Sequence, residues 1–158
     1  MNRTKVPGDA RGAVRLEEHY DTDPADLWEA ITDPARLGRW LGEVSGDLTV
    51  GGAFTARFYA SEWSGTGRVE ACDAPRRLLV STVDDETSDE GEIEVTLTAD
   101  GDRTLLVLEE RGLPLDLLAA YGAGNELHLQ DLGDHVAGGP RRPADGRWAE
   151  LLTDWQSA

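Results

Sequence analysis

Apolar and polar residues alternate in several short runs of this chain. From Ala13 to Tyr20, Val14 and Leu16 lie opposite Arg15, Glu17 and His19, which predicts a strand with one buried face. Phe54, Ala56 and Phe58 oppose Thr55, Arg57 and Tyr59. Glu62 to Ala71 places Trp63, Gly65, Gly67, Val69 and Ala71 on one side. Leu78 to Val83 is a further run, and Ile93, Val95 and Leu97 oppose Glu94, Thr96 and Thr98. Leu105 to Leu108 is apolar on both faces and predicts a strand between two covered layers. Ala74-Pro75, the acidic stretch from Asp84 to Gly91 and Asp100-Gly101-Asp102 are turn signals at hairpin spacing, so an antiparallel meander is expected.

Two helical stretches interrupt the strands early. Asp23-Pro24 supplies an N-cap and a first-turn proline, with Leu27, Trp28 and Ile31 on one face. Asp33-Pro34 repeats the device, with Leu37, Trp40 and Leu41 as the face and Gly42 as the end. After Gly112 the period lengthens to that of a helix. Leu118, Tyr121, Asn125, Leu129, Leu132 and Val136 form one stripe, while Glu126, Gln130 and Asp134 point the other way; Gly122 and Gly124 weaken the middle. Ala137 to Gly146 reads as a loop, and Trp148, Leu151, Leu152 and Trp155 as a last amphipathic helix. Residues 1–12 have almost nothing to bury and are expected to be a flexible tail, leaving residues 13–158 as one domain.

Strand, two short helices, meander and long helix together predict an α+β fold. The long C-terminal helix is the only element able to cover the sheet. A sheet curved around it leaves a cavity, and Trp28, Trp40, Phe54, Phe58, Trp63 and Tyr121 are candidate walls.

The layout resembles the helix-grip fold of START domains, polyketide cyclases and birch-pollen-allergen proteins, the SRPBCC superfamily. It is closer still to the subfamily named after the activator of the ninety-kilodalton heat-shock-protein ATPase. The stretches that carry the likeness are DPADLWEAITDPARLGRWLG (Asp23 to Gly42), GDLTVGGAFTARF (Gly46 to Phe58), GTGRVEACDAPRRLLVS (Gly65 to Ser81), RTLLVLEERGLP (Arg103 to Pro114) and YGAGNELHLQDLGDHVAGG (Tyr121 to Gly139). Asn125 stands where many relatives carry Trp. The resemblance implies a curved antiparallel sheet gripping the last long helix. It does not imply a single activity, because carriers, cyclases and chaperone-ATPase activators share the fold. The extra N-terminal domain of the eukaryotic activators is not expected in a chain of this length, so a chaperone partner is not expected either.

Charge and composition limit the rest. The 158 residues carry a net charge of −16, which argues against nucleic acid and against anionic lipid as partners. The single cysteine, Cys72, excludes an internal disulfide framework, and neither a signal-type core nor a membrane-length apolar run is present, so a cytoplasmic protein is expected. His128, Asp131 and His135 fall within about 60° on the long helix, but no fourth ligand accompanies them. No metal and no cofactor is expected. The acidic stretch lacks the spacing of a calcium loop and reads as a solvated hairpin tip. His19 ends the first strand beside Tyr20, and of Glu109 and Glu110 alternation sends one inward.

The expected function is binding of a small hydrophobic or amphipathic ligand between sheet and C-terminal helix, in a stress or secondary-metabolism setting. The candidate lining is Trp28, Trp40, Phe54, Phe58, Trp63, Glu109, Tyr121, Asn125, His128 and Leu132. Two alternatives remain: a cyclase- or dehydratase-type enzyme using the same cavity, and a protein-interaction or co-chaperone module. A homodimer is left open.

Overall fold

The computed structural model describes residues 1–158. Eight strands form one antiparallel sheet: β1 (Asn2–Pro7), β2 (Arg11–Tyr20), β3 (Gly42–Gly46), β4 (Ala53–Phe58), β5 (Ser64–Asp73), β6 (Arg77–Asp84), β7 (Glu90–Asp100) and β8 (Arg103–Pro114). The spatial order is β1-β2-β8-β7-β6-β5-β4-β3, so β3 to β8 are a meander whose last strand, β8, pairs back onto β2. Four helices accompany it: α1 (Pro24–Thr32), α2 (Pro34–Trp40), α3 (Leu118–Val136) and α4 (Arg147–Gln156). This is the α+β helix-grip arrangement that the sequence implies. No helix is long and apolar enough to cross a membrane.

The start signals act as expected. Asp23 caps α1 by accepting from the Asp26 N–H. Asp33 caps α2 by accepting from Arg36 N–H while its own N–H closes α1 on Glu29.

Three expectations are corrected. The supposed tail at residues 1–12 contains β1, which pairs with β2 from Asn2↔Glu17 to Pro7↔Gly12. Arg3 fastens it by reaching across to Glu126 with both guanidinium nitrogens Nε and Nη2. β3 is a strand that the alternation does not predict, and what looked like a strand from Glu62 begins at Ser64, after a turn at Tyr59–Ser61. Finally, Leu105 and Val107 have no second layer above them. They sit half-buried on the outer face, beside an ion-pair row running Arg15–Glu109–Arg111–Glu94–Arg77.

The main core is lopsided. Its eighteen buried residues come from β2, β7, β8 and the four helices, with Leu16, Leu27, Leu106, Leu127, Leu132 and Trp155 among its centre, and none comes from β3 to β6. α3 is packed on more than one side. Glu126, which the periodicity places outward, is only 2% exposed because β1 and α4 cover it. Gly122 is where α3 meets α4: a Cβ there would clash with the Trp155 ring. The glycine is therefore a seat for the tryptophan and not a hinge, and α3 runs unbroken through it.

Candidate ligand cavity

Where β4 to β6 curve away from α3, a cavity of about 490 Å³ remains. Strand alternation decides what faces it. On β6, Val80, Thr82 and Asp84 point inward. On β5 the same face carries Gly65 and Gly67, opposite Ala56 and Phe54 of β4. The two glycines set the shape. A Cβ on Gly67 would collide with the Phe54 ring, and one on Gly65 with the Trp63 ring, so both aromatics lie flat across β5. Phe58 stands 5.1 Å from Trp63 and makes an edge contact with His128 at 4.9 Å between ring centroids.

From the helix side come Ala120, Tyr121, Gly124, Asn125 and His128, and Trp148 at the start of α4, 40% exposed, stands at the mouth. The spacing of Tyr121, Asn125 and His128 is one helical turn per step, which is why one helix face supplies all three.

Two polar pairs are built into this wall. Asn125 Nδ2 donates to Glu110 Oε1 at 2.7 Å and to the Tyr121 carbonyl at 3.0 Å. Glu110 is 7% exposed, and burial raises its carboxyl to about 7, with the Asn125 hydrogen bond pulling the other way. His128 Nε2 lies 2.8 Å from Ser61 Oγ, and burial lowers its imidazole to about 4, so it is neutral at neutral pH. Tyr121 is pushed up to about 12, first by burial and then by the charges of Glu110, Asp84 and Asp89.

Six of the ten candidate lining residues meet here: Phe54, Phe58, Trp63, Tyr121, Asn125 and His128. Four do not. Leu132 is fully buried in the core and Trp28 packs against its edge. Trp40 is buried, donates its indole N–H to the Ala30 carbonyl, and touches a separate polar recess with Arg36, Arg39 and His135. Glu109 faces outward in ion pairs with Arg15 and Arg111; the inward carboxylate is Glu110. The sequence held the signal for that choice, since Glu110 shares parity with the buried Leu106 and Leu108. Ser61, Asp84, Glu86 and Trp148 were missed: Ser61 and Glu86 lie in turns that carry no periodicity, Asp84 ends β6 beside the acidic tip, and Trp148 was read only as part of the apolar face of α4.

The remaining candidates are separated by their partners. His128 contacts Ser61, Asp131 pairs with Arg147, and His135 Nε2 accepts from Arg36 Nε, so the three helical residues are not gathered on one centre. His19 lies 2.8 Å from Asp100 on the outer side, and Cys72 is exposed.

A family model described as Activator of Hsp90 ATPase homolog 1-like protein matches residues 21–137. Among solved structures, the crystal structure of CalU16 from Micromonospora echinospora is 32% identical with a TM-score of 0.81, covering 98% of this chain and 92% of that one. DynU16, a protein in the dynemicin biosynthetic locus, matches at 24% identity and TM-score 0.76, over 84% of this chain and 50% of that one. EF2215 from Enterococcus faecalis, a conserved protein of unknown function, matches at 19% identity and TM-score 0.76, over 98% and 88%. These last two show likeness of fold alone. The search of curated proteins found no match.

Proposed function

The chain belongs to the family of Activator of Hsp90 ATPase homolog 1-like proteins, and from that premise we propose that it binds a small, largely apolar molecule between β4–β6 and α3. The observation that carries this reading is the cavity of about 490 Å³, walled by aromatic rings and holding two polar pairs, Glu110–Asn125 and His128–Ser61. Ligand sites have this make-up: an apolar wall for affinity, with a few fixed polar groups for orientation.

Gly124 provides the decisive variant. It lines the cavity, and a Cβ there would meet nothing within 4 Å. Gly124→Leu should fill the space while leaving the packing intact. The test is native mass spectrometry of mildly purified protein, with thermal shifts across a lipid and polyketide panel. A bound mass or a raised Tm in the wild type, absent from Gly124→Leu, is expected. An apo mass with no shift across the panel would overturn the reading.

One observation favours a second reading, acid–base catalysis of cyclase or dehydratase type on the bound molecule. Glu110 is an enclosed carboxyl raised to about 7, near the value a general acid or base needs at neutral pH. Turnover of a bound ligand that disappears in Glu110→Gln, with binding retained, would support it. Protein interaction has less support, since the outer sheet face is occupied by the Arg15-to-Arg77 ion-pair row and not by an apolar patch.

A further inference from the structure

The wall of the cavity narrows the chemistry of its occupant. Glu62, Asp84, Glu86 and Glu110 all face this space, and no Arg or Lys does. Several acids elsewhere have a basic partner: Asp26 has Arg36, Glu94 Arg77, Glu109 Arg111, Glu126 Arg3 and Asp131 Arg147, and of these Glu126 and Asp131 are buried like Glu110. The four cavity carboxylates have no basic partner. Glu110 adds an independent observation. It is 93% buried, and of its two oxygens only Oε1 accepts a hydrogen bond, from Asn125, which leaves Oε2 without a partner. Glu62 reaches the rim from a residue in the left-handed region (φ 59°).

The rings complete the setting. Phe54, Phe58, Trp63, Tyr121 and Trp148 surround the same space, and an aromatic face attracts a cation as well as a flat apolar body.

We propose that the cavity selects a cationic ligand, a protonated amine carried on an aromatic or polycyclic body, with the ammonium group beside Glu110 and the rim carboxylates and the ring system against Phe58, Trp63 and Tyr121. The proposal rests on the small-molecule reading above and specifies its ligand class. Nothing titratable nearby opposes it. His128 is held neutral by burial, and the Tyr121 hydroxyl feels only negative neighbours, Glu110, Asp84 and Asp89. Asn125 is the one group hydrogen-bonded to Glu110. An ammonium beside Glu110 favours its carboxylate, so binding below pH 7 releases a proton, and amine affinity rises with pH until Glu110 is ionised.

Three matched probes test this: 2-naphthylmethylamine, 2-naphthalenemethanol and 2-naphthoate, titrated by calorimetry at several pH values. The amine is expected to bind at least about tenfold tighter than the alcohol at pH 8, with the carboxylate weakest. In Glu110→Gln the amine's advantage should shrink to about threefold or less and lose its pH dependence, while affinity for the alcohol stays within about twofold. The double rim variant Asp84→Asn/Glu86→Gln, at the β6–β7 hairpin and outside the main core, guards against a folding defect in the first and should lower amine affinity alone. If the alcohol matches the amine, and Gly124→Leu blocks both, the charge selection is overturned while the cavity reading stands. If none of the three binds, this proposal is overturned, and the lipid and polyketide panel decides the cavity reading separately.

Discussion

Glu110 and His128 titrate in opposite senses, and their signs can be worked through. The Glu110 carboxyl moves from 4.5 to about 7 on folding. Between those values the folded chain holds a proton that the unfolded chain has released, so this group's contribution falls as pH rises, by up to about 3 kcal/mol in all. His128 moves from 6.5 to about 4, so the unfolded chain holds the extra proton and stability from this group is lost as pH falls through that range. The two slopes oppose each other between about pH 4.5 and 6.5. In Glu110→Gln only the histidine's slope remains. The variant's stability relative to wild type is therefore expected to climb steadily from pH 4.5 to 7 in urea unfolding. A constant difference across that range would show that Glu110 titrates normally in the fold. Which of the adjacent glutamates faces inward was legible in principle: Leu106, Leu108 and Glu110 share a parity that Glu109 does not.

The elements were more legible than their surroundings. Aspartate caps, proline starts and alternating strands mark local events, and Asp23, Asp33, Phe54 to Phe58 and Ile93 to Leu97 all express them where expected. What stayed hidden was made by tertiary partners. β1 has no apolar periodicity of its own and is ordered through ladder bonds and the Arg3–Glu126 pair. Glu126 in turn accepts from the Trp155 indole at 3.0 Å, so a charge that a helical wheel sends to solvent sits inside a three-element junction. Arg3→Ala should cost about 1–3 kcal/mol in denaturant unfolding, less than for a fully enclosed pair because Arg3 keeps 30% of its side chain exposed. The two glycines of α3 make a sharper pair. Both alanine variants gain about 1 kcal/mol of helix propensity. At Gly124 the gain should appear as a higher Tm, since the space is open. At Gly122 it should be outweighed by the displaced Trp155 ring, for a net loss of about 1–3 kcal/mol. Equal shifts in the two variants would contradict this account of α3. The sequence marked both residues as weak points but had no means to tell a seat from a window.

At the scale of the whole molecule, a charge of −16 on 158 residues means self-repulsion in the folded state. Tm is expected to rise as sodium chloride goes from about 20 to about 300 mM, where the Debye length shrinks below the spacing of most surface charges. A falling Tm would mean that the ion-pair row from Arg15 to Arg77 outweighs the general repulsion. The lopsided core has a longer reach. Its eighteen residues leave β3 to β6 out entirely, although Ala56 and Val69 are themselves buried there. Folding is secured at one end of the sheet, and the cavity proposed to hold a ligand lies at the other. Changes at Phe54, Trp63 or Val80 can thus remodel the guest room without loosening the foundations, and two descendants of one ancestral chain can part company over what they hold while melting alike.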